Sequence, residues 1–532
     1  MRKEHQPKAL SEVTARVTNR VLAGRLGPPR RVIEETLYQE RVRLEKARDR
    51  YAWETADLAF WRDLSRQLVT ASEATERAAI KAITERFVSD VMGHFDPRVY
   101  AMSTRALPTG MALLLNSLDP RRLLRDPKAS LELQHNILVR GESEAARRLA
   151  TLGTVVVVPT HVSNMDSLIM GYAAYLMGLP PLLYGAGLNL FTNRLLGFFM
   201  SNLGAYRVDR RKKCDLYKEV LKEYATYSLE LGYHNLFFPG GTRSRSGAVE
   251  TKLKRGLLGT GLMAYQNNLR AGSRNPNVYV LPCTLSYGLV LEAETLVRDH
   301  LAEVGKSRYI ILDDEFSRWD RIVQFVKDLL KLDARIYLTF GQPLDPFGNP
   351  VDFQGRSLDP KGRPVDTRRY VLEDGAVVAD EQRDREYTTE LATAIGQQFK
   401  DTNCVQATNL AAFAAWQLVR RSQPGADVYR LLREGSGVVG FAVTEVIAVL
   451  ERVLDAARSR VRAGKLKLDP RLEVPGDDRA DRVLDHALRA FGAYHTRRAM
   501  DREADRVHLR DPELVLYYHN RLLGYGFESA LD

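Results

Sequence analysis

The sequence predicts an α/β core, a β-sheet flanked by helices, set between helical N-terminal and C-terminal regions. Two observations carry this reading. From Gly153 to Phe340, short β-branched or apolar runs alternate with amphipathic helical patterns, as expected when strands are joined through helices. On either side of that segment charges are dense and apolar residues recur at helical spacing, without strand alternation.

Residues 1–150 read as the N-terminal helical region. The run IEETLYQERVRLEKARDRYAWETADLAFW has helical periodicity, and breaks are expected at Gly27–Pro29, Asp96–Pro97 and Leu107–Pro108. Residues 151–345 carry the core. TVVVVP, from Thr154 to Pro159, is a continuous β-branched run bounded by Gly and Pro, the pattern of a strand buried on both faces. Further strands are expected at Gly204–Val208, Asn235–Phe238, Val278–Ser286 and Arg335–Phe340, with a helix over Asp215–Leu231 stopped by Gly232. The uncharged stretch Ser167–Asn193 is interrupted by Pro180-Pro181, so it predicts a buried helix followed by an irregular apolar segment rather than a membrane span. Residues 346–386, rich in Pro, Gly, Asp and Arg, predict a long surface excursion. Helical patterns return over 387–532. No internal repeat is evident.

The 532 residues allow several domains, and 45% hydrophobic content allows a substantial core. The net charge of +11 favours anionic partners: lipid headgroups, phosphorylated metabolites or an acidic carrier protein. Basic residues cluster at strand ends with no nucleic-acid-binding module around them, so nucleic acid is not an expected partner. Cys214, Cys283 and Cys404 stand far apart and predict neither a zinc site nor a disulfide framework. The charged N-terminus lacks a signal-peptide core.

Directly after the first long strand comes THVSNMDSL. His161 sits at the strand exit and Asp166 in the first turn of the following helix. A histidine held in one tautomer by a carboxylate can take a proton from an alcohol. No nucleophile motif of the GxSxG kind follows a strand, so the alcohol would belong to the substrate. The spacing alone is weak, and Ser163 with Asp166 also reads as a helix capping box. Basic clusters then follow in order: GAYRVDRRKK (204–213), FFPGGTRSRSG (237–247) and KLKRG (252–256), before the strand VLPCTLSYG (280–288). Glycines let backbone N–H groups approach an anion, and an Arg fork matches phosphate oxygens.

The ordered set HVSNMD, GAYRVDR, FPGGTRSRSG and LPCTLSYG resembles the four blocks of the glycerol-phosphate acyltransferases, most of all the glycerol-3-phosphate and dihydroxyacetone-phosphate branch. The resemblance covers about residues 150–345 and implies an acyltransferase-type β-sheet. It implies that His161 is the general base and Asp166 its partner, and that Arg207, Arg243 and Arg245 bind acceptor phosphate, with Lys254 a weaker candidate. Gly241, Thr242 and Ser244 belong to the same binding turn, and backbone N–H groups around Gly240 and Gly241 would hold the thioester oxyanion. The implied acceptor is glycerol 3-phosphate, with dihydroxyacetone phosphate or lysophosphatidate as alternatives. The implied donor is acyl-CoA or acyl-carrier protein, with no metal or other cofactor. The implied product is lysophosphatidate, a phospholipid precursor; the +11 charge and the interrupted apolar stretch predict peripheral attachment at the cytoplasmic face of a membrane. The third block of the family carries a Glu where Gly240 stands here, which leaves open a catalytically inactive, membrane-associated scaffold.

Overall fold

The computed structural model describes residues 1–46, 53–68, 72–103, 136–188, 191, 194–304, 335–434, 439–474, 476–492, 495 and 497–531. The break expected at Leu107–Pro108 lies outside these residues. Seven strands form one sheet: β1 (Ile137–Gly141), β2 (Thr154–Pro159), β3 (Leu183–Gly187), β4 (Ala205–Val208), β5 (Asn235–Leu236), β6 (Val278–Tyr287) and β7 (Ile336–Phe340). Their spatial order is β1-β7-β6-β2-β5-β3-β4. Strands β6, β2, β5, β3 and β4 run parallel, whereas β7 is antiparallel to β6 and carries β1 parallel to itself. Every residue of β2 and β6 is buried, as their unbroken apolar runs require. Parallel strands place the loops after β2, β4 and β5 at one edge of the sheet, where α/β proteins assemble sites from separate stretches of sequence.

Two strands escape the sequence reading. Ile137–Gly141, within the stretch read as helical, is an edge strand with only its first residue fully buried, so it lacks the apolar continuity of a central strand. Leu183–Gly187 was expected to be irregular because of its glycines. It pairs with β4 and β5, and a side chain at Gly185 would begin about 3.0 Å from the Tyr206 ring, so the glycine makes room for packing.

Before the sheet come α1 (Gln6–Leu22), α2 (Pro29–Lys46), α3 (Trp53–Gln67) and α4 (Glu73–Val91). Within the core follow α5 (Ser143–Leu149), α6 (Asp166–Leu176), α7 (Arg194–Asn202), α8 (Asp215–Glu230), α9 (Arg255–Arg270) and α10 (Ala293–Val304). After it come α11 (Glu381–Asp401), α12 (Ala407–Ser422), α13 (Val428–Glu434), α14 (Val443–Arg462), α15 (Ala480–Phe491) and α16 (Pro512–His519). The first four helices dock on α8 through one apolar cluster that includes Val13, Phe87, Tyr217, Val220 and Tyr224. The C-terminal helices share a core with β6 and β2. That region also holds a three-stranded antiparallel sheet of Val439–Ala442, Arg506–Leu509 and Met500–Glu503, so it is not purely helical. No helix among the described residues is long and apolar enough to cross a membrane.

The 346–386 excursion is built from a repeat that the sequence reading missed. Asp345, Asp352 and Asp359 recur every seven residues, each followed three positions later by a glycine at positive φ: Gly348 (91°), Gly355 (82°) and Gly362 (76°). Each carboxylate accepts from the backbone N–H groups two and four residues on, at 2.8–2.9 Å. Successive turns then pair edge to edge through Leu344–Pro350, Val351–Ser357 and Ser357–Val365. The repeat is a hydrogen-bonding pattern rather than an apolar one, which hides it from hydrophobic periodicity.

Candidate active site

The loop from β2 to α6 is organised around one carboxylate. Asp166 is fully buried at the start of α6. Its Oδ2 accepts from His161 Nδ1 at 2.8 Å, from Val162 N at 2.6 Å and from Ser163 N at 2.9 Å, and its Oδ1 accepts from the Tyr287 hydroxyl. Four donors converge on Asp166, so it accepts throughout. His161 Nδ1 therefore carries the proton and Nε2 presents a lone pair. The imidazole is also stacked on Phe238, ring centroids 4.1 Å apart, which fixes its plane. The Ser163 hydroxyl donates to Glu292 and accepts from Met165 N at 3.2 Å, and Glu292 also accepts from Asn164 N. One carboxylate therefore serves both readings: Asp166 accepts from Ser163 N as in a capping box and also holds His161, with Tyr287 on Asp166 and Glu292 on the loop. Neither residue is named by the sequence reading as part of the pair. Tyr287 ends the buried strand β6 and Glu292 lies beyond it, so both reach Asp166 and its loop only through the fold.

After β5 the chain makes a glycine turn and then a basic loop into α9. Thr242, Arg243, Arg245, Glu250 and Lys254 line a cavity of about 510 Å³ in this loop. The Ser244 N–H donates to the His161 carbonyl at 2.8 Å, which ties the cavity to the base. Ser244 Oγ donates to Ala248 O at 2.7 Å, so its hydroxyl serves the turn. Gly241, at φ 76°, donates its N–H to Phe238 O at 3.1 Å; that group is engaged and cannot also meet an oxyanion. The oxyanion role expected of it is corrected accordingly. Arg243 lies 3.5 Å from Glu292, and Arg245 pairs with Glu303 at 2.8 Å near the surface.

Arg207 does not join this group. Its guanidinium lies over the Phe191 ring at 5.3 Å and acts on His94 instead. Arg210, three residues on, has Arg243 and Arg245 as charged neighbours; local desolvation first, and then those two cations, depress its pKa, although the residue keeps an exposed face. The chain leaves β4 at Val208, and Asp209 is clamped there by Arg211 through two contacts of 3.0 and 2.9 Å. Asp209 also meets Arg43 of the N-terminal bundle at 4.0 Å. Arg210 is exposed and does not itself line the cavity, but Arg243 and Arg245 are its charged neighbours. The usable signal in the sequence was position: Arg210 lies past the strand end, where loop residues gather, whereas Arg207 lies within the strand.

The C-terminal region braces the basic loop from behind. Asn520 Nδ2 donates to Ser246 O at 2.8 Å, and the Tyr517 carbonyl comes within 2.1 Å of where a Gly247 Cβ would stand. Gly247 is at φ 82°, so two constraints require glycine there.

Residues 137–286 match the family model described as Acyltransferase. A glycerol-3-phosphate acyltransferase from Baumannia cicadellinicola subsp. Homalodisca coagulata is 28% identical over 218 residues, which cover 39% of this chain and 24% of that protein. The matched part thus spans about a quarter of that relative's length. Among solved structures, the 1-acyl-sn-glycerophosphate (LPA) acyltransferase PlsC from Thermotoga maritima is 15% identical, covering 60% of this chain and 97% of that one at a TM-score of 0.25.

Proposed function

We propose that this chain, whose residues 137–286 belong to the acyltransferase family, moves a fatty acyl group from a thioester to a hydroxyl of glycerol 3-phosphate. The observation that carries the proposal is the His161–Asp166 pair at 2.8 Å, tied through Ser244 to a cavity lined by arginines. His161 Nε2 takes the acceptor's hydroxyl proton as the oxygen attacks the thioester carbonyl. The tetrahedral oxyanion collapses, the carbon–sulfur bond breaks, and the departing thiolate takes the proton back from His161. Asp166 holds the tautomer and balances the imidazolium during that interval. Arg210, Arg243 and Arg245, with Lys254 beside the glycine turn, bind the acceptor phosphate. Arg243 and Arg245 each have a carboxylate partner, Glu292 and Glu303, and a bound phosphate adds a shared anion that lowers the repulsion left between the cations. The donor is acyl-CoA or acyl-carrier protein, and the chain's positive charge would hold it at an anionic membrane surface on the cytoplasmic side.

The test is transfer of a labelled acyl group by the purified protein, offering acyl-CoA or acyl-carrier protein with glycerol 3-phosphate, dihydroxyacetone phosphate or lysophosphatidate. Labelled lysophosphatidate from glycerol 3-phosphate is expected. Transfer to neither glycerol 3-phosphate nor dihydroxyacetone phosphate with either donor would refute the reading.

A further inference from the structure

The glycine turn carries an acid that its own sequence lacks. A Cβ built on Gly240 would lie 2.4 Å from both carboxylate oxygens of Glu250, ten residues downstream. Glu250 thus folds back over Gly240 and fills the space that a side chain on the turn would take. Lys254 does the same at Gly241, its Nζ 2.6 Å from the corresponding position. The paired glycines are therefore a seat for one acidic and one basic side chain, both lining the cavity.

Glu250 is placed for contact with what His161 acts upon. Its carboxyl accepts from the His161 backbone N–H, and Asp166, Lys254 and Arg521 are the charged groups that face it. Its Oε2 is closed to solvent and has no hydrogen-bond partner among the described residues. A desolvated carboxyl oxygen without a donor is unfavourable and calls for a partner. Glycerol 3-phosphate has one more hydroxyl than the reaction consumes. We infer that Glu250 is an acceptor-binding residue, its free Oε2 accepting from the non-reacting hydroxyl while Lys254 and the arginines hold the phosphate. The inference rests on the acyltransferase reading and deepens it, because it makes Glu250 the residue that selects a polyol phosphate over an acceptor with a single hydroxyl. Burial, chiefly, raises the carboxyl to about 8, the behaviour of an acid whose partner has yet to arrive.

The experiment compares wild-type protein with Glu250→Gln and Glu250→Ala on two acceptors, glycerol 3-phosphate and 3-hydroxypropyl phosphate, which lacks the second hydroxyl. Acceptor kcat/KM is measured at saturating thioester, and acceptor binding by calorimetry without thioester. Wild type should prefer glycerol 3-phosphate, and Glu250→Ala should lose about 10-fold to 100-fold on it while changing the deoxy acceptor less than about 3-fold. The loss should fall mainly on KM and appear equally in the calorimetric Kd. Equal losses on both acceptors in a folded variant would make Glu250 a structural brace for the turn and overturn the inference. If Glu250→Ala does not fold, Glu250→Gln carries the same comparison, and retention of full acceptor preference in it overturns the inference too. Wild-type protein that acylates neither acceptor defeats the underlying acyltransferase reading, a result distinct from activity without discrimination.

Discussion

Replacing Arg210 by alanine separates the structure's account of phosphate binding from the one suggested by sequence position. Arg210 has Arg243 and Arg245 as charged neighbours, whereas Arg207 lies over Phe191. A charge-assisted contact to phosphate is worth about 1.5–3 kcal/mol, or roughly 10-fold to 150-fold in binding. Arg210→Ala should raise the acceptor KM by that factor and leave the thioester KM within about 2-fold. Arg207→Ala should leave both within about 2-fold. In the empty protein, removing Arg210 also relieves like-charge repulsion, so the melting temperature should hold or rise rather than fall. Arg210→Lys keeps the charge but loses the planar fork and should recover only part of the affinity. The assay is steady-state kinetics with each substrate varied at saturation of the other, beside a melting curve for each variant. An unchanged acceptor KM in Arg210→Ala, or an equal rise in Arg207→Ala, would refute the reasoning.

Three further outcomes concern stability. Arg43 is buried with Glu40 at 2.6 Å and Asp57 at 3.1 Å; Arg43→Ala leaves Asp57 to Arg86 and Glu40 to Lys212 at 4.0 Å, and should cost up to about 3 kcal/mol in denaturant unfolding. Glu250 binds its proton more tightly folded, at about 8, than an ordinary carboxyl does; its contribution is present at low pH and is lost as pH rises toward 8. The melting temperature of Glu250→Gln should therefore overtake wild type between pH 5 and 9, and parallel curves would contradict this. His234 runs the other way: burial depresses it to about 4, and its Nδ1 accepts from Val155 N at 2.9 Å, which requires the unprotonated nitrogen. Wild type should lose more unfolding free energy than His234→Gln as pH falls from about 6.5 to 4.

What was legible in the sequence was whatever depended on local pattern. Thr154–Pro159 is a strand at the expected residues because both its faces are buried. The helix expected over Asp215–Leu231 runs from Asp215 to Glu230, its apolar face meeting the N-terminal bundle. His161 and Asp166 are five residues apart and meet within one loop, so spacing alone brings them together. The remaining site residues depend on tertiary geometry. Tyr287 reaches Asp166 from a strand paired with β2, and Asn520 reaches Ser246 from the far end of the chain. Glu250 and Glu292 both stand near the Gly240 turn in sequence, and only the fold shows that Glu250 comes back over the turn while Glu292 pairs with Ser163. Arg207 and Arg210 are alike as letters, and only their neighbours in the fold, Phe191 for one and Arg243 with Arg245 for the other, separate them.

The central claim is that His161 Nε2, aligned by Asp166, takes the acceptor proton. The most direct measurement is single-turnover transfer from a labelled acyl thioester to glycerol 3-phosphate by wild-type and His161→Ala protein, each shown to be folded by its melting curve. A rate about 100-fold to 10,000-fold lower in the variant, with acceptor binding retained, is the predicted result. A folded His161→Ala protein that transfers the acyl group at near the wild-type rate would contradict the account.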